Sequence, residues 1–226
     1  EFRRVLFRSM PTGWGAQGST GGWTREIVGA GTDSQNGLPY VDVRLYGTPT
    51  GSQFSVTFLS QGVAAAANGQ TWAASVYHKL VGGSLGNIIG YPAGNLWNSA
   101  VAYLGGINLP GNIISSSVWS RYTGSATIAT VNTAFISWGI TFVCTAGNTY
   151  DFTIRFAAPQ LEQGAFVTSW IPNTSTTAAV TRSADVASIT GTAFSSWYRQ
   201  DEGTVFAEWK NDPSTGVHWP NPRSEE

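Results

Sequence analysis

Arg121, Arg155, Gln160 and Glu162 carry planar guanidinium, amide and carboxylate groups, and Tyr77 and Trp119 carry flat rings. In TYDFTIRFA, Phe152, Ile154 and Phe156 alternate with Asp151, Thr153 and Arg155, so an inward apolar row leaves Arg155 on the opposite face. By the same parity Ser75, Tyr77 and Lys79 lie opposite Trp72, Ala74 and Val76, and Trp119 shares a face with Arg121. Gln160 and Glu162 flank Leu161, a polar pair around a core anchor. Rings of this kind stack on the apolar face of a hydroxyl-bearing ligand, while the planar polar groups hydrogen-bond its hydroxyls. Each residue also has a structural reading. Trp119 suits a sandwich core. Arg121 or Arg155 can pair with Glu162 or cover aromatic surface with an apolar stem, and Gln160 and Glu162 can serve packing alone.

Catalytic groups are scarce. A nucleophile triad needs a positioned histidine, and the chain has two, His78 and His218. His78 sits mid-strand between Tyr77 and Lys79 with no GxSxG motif, and His218 falls in GVHWPNP close to the end of the sequence. Asp33, Asp185, Asp201, Glu202 and Asp212 fall in turns or in a linker-like stretch, where a solvated role is expected. Cys144 is the single cysteine, which excludes an internal disulfide framework and a thiolate cluster, and in ITFVCTAG it reads as a small hydrophobe at a strand end. Gly13, Gly15 and Gly18 spell GxGxxG without the strand and helix that dinucleotide binding requires. The sequon at Asn173 is of the kind that arises by chance. No catalytic residue is assigned, and the expectation is a non-enzymatic protein.

The elements that position these residues are strands. PYVDVRLY, QFSVTFL, TWAASVYHKLV, AFISWGITF and TYDFTIRFA are apolar or alternating runs bounded by clusters such as AANGQ, TAGNT and GGSLGN. Helical periodicity is nearly absent; VAAAAN alone reads as a brief helical turn or a loop. With 27 Gly, 10 Trp and only 11% charged residues, the chain is predicted to be all-β, an antiparallel β-sandwich of the jelly-roll type. Its formal net charge of −1 gives no basic field for nucleic acid, and no apolar run is long enough to span a membrane.

The two ends have a separate origin. EFRRVLFRS is a translation of GAG TTC AGA CGT GTG CTC TTC CGA TCT, and RSEE of AGA TCG GAA GAG. These strings resemble the two ends of a widely used short-read sequencing adapter, and the second begins with the reverse complement of the first string's end. Residues 1–9 and 223–226 are therefore read as translated adapter around a metagenomic fragment, with Met10 not required to be a start. Within the remainder, 10–172 is predicted to form the sandwich, 173–184 a linker, and 185–222 the truncated start of a second β module. Roughly 40 residues is below the size that buries a core unaided.

GQTWAASVYHKL, the strand YDFTIRF running into AAPQLEQGAFVTSWIP, and TRSADVASI with EGTVFAEW together resemble phage tail-fibre and related virion proteins. In these a jelly roll similar to carbohydrate-binding modules precedes a concanavalin A-like, laminin-G-like domain. The resemblance implies a non-catalytic virion protein of a phage tail that binds host-surface glycans or acts as a spacer. It implies as partners a cell-surface polysaccharide or other glycan and other virion proteins, with homo-oligomeric assembly of the intact protein. Tyr77, Trp119, Arg121, Arg155, Gln160 and Glu162 become the glycan-binding candidates, and Tyr77→Ala or Arg155→Ala is expected to weaken binding without unfolding. No cofactor is implied; a structural Ca²⁺ held by Asp side chains and loop carbonyls is left open, since related sandwich modules often have one. Two alternatives stand beside this reading: a carbohydrate-binding module of a secreted bacterial polysaccharide-degrading enzyme, and a depolymerase or lyase whose active site lies in or beside the second module.

Overall fold

The computed structural model describes residues 14–15, 21–109 and 117–172. Among these residues nine strands run in chain order: β1 (Trp23–Thr32), β2 (Pro39–Gly47), β3 (Gln53–Ala65), β4 (Thr71–Gly83), β5 (Ile89–Trp97), β6 (Tyr103–Asn108), β7 (Ser120–Thr127), β8 (Phe135–Val143) and β9 (Tyr150–Gln163). They form two antiparallel sheets, one of five strands in the order β1-β2-β9-β4-β7 and one of four in the order β3-β8-β5-β6. The chain changes sheets at every connection except β1–β2 and β5–β6, the alternation of a jelly roll. The described residues form an all-β sandwich, as predicted. VAAAAN contributes its first three residues to the end of β3 and continues as loop. The segments assigned to a linker and a second β module, and both adapter-like ends, lie outside the described residues.

The alternating apolar rows meet between the sheets. From the five-stranded sheet come Val43, Leu45, Ala74, Val76, Tyr122, Phe152, Ile154 and Phe156, and from the four-stranded sheet Phe54, Val56, Trp138, Ile140 and Phe142, all buried. Ring packing fixes the spacing of the layers: Phe58 meets both Trp138 and Phe156 edge-on, with centroids 5.0 and 5.1 Å apart. A smaller cluster around Trp72, Leu96, Ile128 and Ile136 closes one end, and Leu161 packs against both clusters.

The two sheets are also tied along one open side. Arg25 of β1 lies on the inward face with Trp23 and Ile27 and donates from Nη1 to the Ser55 carbonyl oxygen of β3 at 2.7 Å. This charge-assisted bond joins edge strands of opposite sheets. Burial lowers the Arg25 pKa from its ordinary value.

Candidate functional site

β9 and β7 flank β4, and their registers bring residues far apart in sequence onto one outer face. Tyr77 pairs with Arg121, Lys79 with Arg155, and Ser75 with Gln160. Up to Phe156 the even-numbered residues of β9 point inward, yet beyond it Leu161 is the inward residue. The change of parity is made by a bulge between Ala157 and Gln160, where Ala158 has φ 49° and the register against β4 slips by one. Without that extra residue Gln160 and Glu162 would turn toward the core. All six residues singled out in the sequence thus belong to one surface, the outer face of the five-stranded sheet, but they fall into two groups.

The first group is an ion-pair network around Arg155. Its Nε donates to Asp42 Oδ1 at 2.7 Å and its Nη2 to Asp42 Oδ2 at 2.9 Å, while Nη1 donates to Asp33 Oδ2 at 3.2 Å. Lys79 Nζ reaches the same Asp33 oxygen at 3.3 Å. Hydrogen bonding to Asp42 outweighs burial and raises the Arg155 pKa. Asp33, expected to be solvated, is instead only 5% exposed. The β1–β2 turn folds it back over the sheet through the bond from Gly37 N–H to its carbonyl oxygen. Burial would raise its pKa, but the Gln35 amide and the Lys79 ammonium, both within hydrogen-bond distance, hold the carboxyl down at about 2. The network corrects a second expectation: the charge partners of Arg155 are Asp33 and Asp42, neither of which is near it in sequence.

The second group is a latch. Arg121 Nη2 donates to Ser75 Oγ at 3.2 Å and to the Thr168 carbonyl oxygen at 2.7 Å. Glu162 accepts from the Thr168 amide at 3.0 Å and from its hydroxyl at 2.8 Å, and Gln160 Oε1 accepts from the Ile171 amide at 2.7 Å. Gln160 also donates to Glu162. Three of the six residues therefore pin the segment after β9 onto the sheet. Arg121, like Arg155, finds its partners away from Glu162.

Each ring on this face lies beneath a cation. Arg155 sits 3.5 Å from the Tyr40 centroid, Arg44 4.4 Å from Tyr46, Lys79 4.7 Å from Trp119 and Arg121 5.3 Å from Tyr77. Such a face offers rings, amides, carboxylates and guanidinium groups already oriented by one another. It does not offer a cation site: the guanidinium of Arg155 stands between Asp33 and Asp42, and no group of three or more His, Cys, Asp or Glu side chains gathers among the described residues.

His78 belongs to the other side of β4. It is 2% exposed, shares the inward parity of Ala74 and Val76, and burial lowers its pKa to about 4. It is held neutral. Cys144 follows β8, is buried, and has its thiol pKa raised by burial. His218, Asp185, Asp201, Glu202, Asp212, Gly13, Gly18 and the Asn173 sequon lie outside the described residues. Gly15 forms an isolated antiparallel bridge with Thr57.

No protein-family model and no curated protein matches the chain. Among solved structures, it is similar to the enzymatically active domain of tailspike protein 4 of bacteriophage CBA120, at 12% identity over 69% of this chain and 20% of that one, with a TM-score of 0.43. It is similar at 13% identity to the CBM22-1–GH10 modules of Clostridium thermocellum xylanase 10B, over 71% of this chain and 28% of that one, with a TM-score of 0.46. The tripod from the bacteriophage Tuc2009 baseplate matches at 18% identity over 62% of this chain and 51% of that one, with a TM-score of 0.40. The chain spans between a fifth and about half of the length of these three proteins.

Proposed function

We propose that this chain is a non-catalytic glycan-binding piece of a phage tail fibre or spike, and that the outer face of the five-stranded sheet meets the glycan. The observation that carries the reading is convergence: Tyr77, Trp119, Arg121, Arg155, Gln160 and Glu162 come from three adjacent strands and their margins and face one way. Within that face the roles divide. Tyr77 and Trp119 present rings to a pyranose, and Lys79, beside the Trp119 ring, meets its hydroxyls or acidic groups. Arg121, Arg155, Gln160 and Glu162 are positioning residues, because their polar atoms are engaged with Ser75, Asp33, Asp42 and the segment through Ile171.

Affinity for purified bacterial surface polysaccharides tests the site. Tyr77→Ala should reduce affinity at least tenfold in a variant that keeps the wild-type melting profile. Unchanged affinity in that folded variant removes Tyr77 from the site, and no affinity of the wild-type chain for any such polysaccharide leaves a spacer role. The virion location rests on PQLEQG, TSWIP and TRSADVASI, and so do the linker at 173–184, the concanavalin A-like start at 185–222, assembly with other virion proteins and a homo-oligomeric whole. Sequencing outward from the fragment should reveal genes for baseplate, portal or tail assembly. A signal peptide and a hydrolase domain in the same frame would instead make the chain an accessory module of a secreted enzyme.

A further inference from the structure

The four strands of the second sheet contain no Asp, Glu, Lys, Arg or His at all. Their outward side nevertheless carries a pair of large rings. Trp97 at the end of β5 and Tyr103 at the start of β6 are register partners and meet edge-on at 5.4 Å. Trp97 is fixed by its indole N–H, which donates to Ser137 Oγ at 3.0 Å. Tyr103 is 58% exposed, and its hydroxyl reaches the outward side of Gly106, where an added Cβ would lie 3.6 Å from it. A strip of bare backbone thus runs beside the ring.

The hairpin that presents the two rings is built to be stiff. Asn98 and Ala102 are joined by the bond from Asn98 N–H to the Ala102 carbonyl oxygen at 3.0 Å. Asn98 Oδ1 accepts from the amides of Ala100 and Ala102 at 3.0 and 2.9 Å, and Val101 is held at φ 59°. Asn95, opposite Gly106, lies on the same side, and Tyr91 continues the row along β5 with Gln53 Nε2 3.4 Å from its hydroxyl. Rings, a phenol hydroxyl and bare backbone without a charge suit a ligand that is itself hydroxyl-rich and uncharged.

We propose that this outer face is a second binding platform, for a neutral polysaccharide, with Tyr103 and Trp97 stacking on a pyranose whose edge lies along Gly106. The ligand class rests on the glycan-binding reading above, but the residues, the sheet and the charge preference are different. A charged face on one sheet and a neutral one on the other would let one sandwich hold two chemically distinct glycans.

Affinity electrophoresis of the full chain through gels carrying xylan, galactomannan, hydroxyethylcellulose or dextran, with alginate as the charged control, tests the platform. At least one neutral polysaccharide should retard the wild-type chain. Tyr103→Ala, which removes an exposed ring, and Gly106→Val, which fills the bare strip, should each weaken that retardation at least tenfold, while Tyr77→Ala should leave it intact. Retardation unchanged in both variants overturns the proposal, as does a wild-type chain that no neutral polysaccharide retards. A wild-type dimer in sedimentation that Tyr103→Ala splits into monomers would also overturn it and make the face an interface between copies. Loss of neutral binding only in Tyr77→Ala would sink this platform and leave the five-stranded face standing, whereas a chain bound by neither the neutral nor the surface polysaccharides would remove both.

Discussion

The two outer faces of the sandwich solve the problem of exposed polar surface in opposite ways. On the five-stranded sheet, Asp33, Asp42, Lys79 and Arg155 interlock, and each of four rings is capped by a cation. On the four-stranded sheet the rings meet one another and neutral side chains, without a formal charge in any strand. The first face is therefore rigid through electrostatics, and the charged groups at its centre, Asp33, Asp42, Lys79 and Arg155, cannot be removed singly without leaving a partner uncompensated. The second is rigid through its hairpin backbone, so its exposed side chains can be removed with little consequence for folding. Function and stability are entangled on one face and separable on the other.

Arg155→Ala is the sharpest way to break that contrast and carries the largest expected effect. It strands Asp42, 9% exposed, and leaves Asp33, 5% exposed, with Lys79 as its remaining cation. Removing one partner of a buried pair costs about 3–5 kcal/mol, and the guanidinium is still 19% exposed, so the low end, roughly 3 kcal/mol, is expected in a urea melt. The variant is thus no clean probe of ligand binding, contrary to what the strand pattern suggests. Tyr103→Ala on the neutral face should leave the midpoint almost unmoved. Equal losses from the two substitutions would erase the distinction between the faces.

A pH titration separates the faces of a single strand, β4. His78 points inward and has a pKa of about 4, below the ordinary 6.5. As pH falls from about 6.5 to 4 the unfolded chain binds a proton at His78 that the folded chain refuses, so the His78 contribution to stability declines across that window and levels off below it. The total is at most about 3.5 kcal/mol, since one pKa unit corresponds to about 1.4 kcal/mol. Asp33, on the outer side, acts lower: its folded pKa of about 2 lies below the usual carboxylate value, so its contribution is present above about pH 4 and lost as pH falls through 2. Denaturation of His78→Gln should be flat between pH 6.5 and 4 where the wild-type chain is sloped. A slope that survives in the variant would place the titrating group elsewhere.

Much of this was legible in residue pattern, and the exceptions have physical causes. β2, β3, β4, β8 and β9 announce themselves because each carries a clear run of alternating inward apolar residues, as in Val41, Val43 and Leu45. β5 does not, because GYPAGNLW contains Pro92 and Gly94. Pro92 is tolerated where β6 has already ended opposite Ala93, and Gly94 is required because Ile107 fills the space its Cβ would take, 2.6 Å from the methyl. Both signals come from a neighbour 13 or more residues away, which local pattern cannot contain. That Arg121 joins Tyr77 and Arg155 required the strand order β9-β4-β7, but the outward side of Tyr77 and Arg155 was readable from parity. Their partners were not, since Asp33 and Asp42 reach Arg155 across 122 and 113 residues, and the Ala158 bulge that turns Gln160 and Glu162 outward has no glycine to mark it. Trp97 and Tyr103 were missed for the same reason as their strands.

The smallest expected effect sharpens the comparison within the charged face itself. Arg44 and Asp151 form a two-point pair, Nε to Oδ1 at 2.9 Å and Nη2 to Oδ2 at 2.6 Å, that matches the Arg155–Asp42 geometry. Its side chains, however, are 38% and 53% exposed. Hydrogen bonding to Arg44 lowers the Asp151 pKa, but water and salt compete for both ions, and exposed pairs of good geometry still contribute little. Asp151→Asn should therefore lower the melting temperature far less than Asp42→Asn, and the difference from wild type should vanish in 0.5 M salt, on the order of a Debye length of 4 Å. If the two substitutions cost the same in high salt, burial would not be what makes the Arg155 network matter, and the division of this face into a structural centre and a solvated margin would fail.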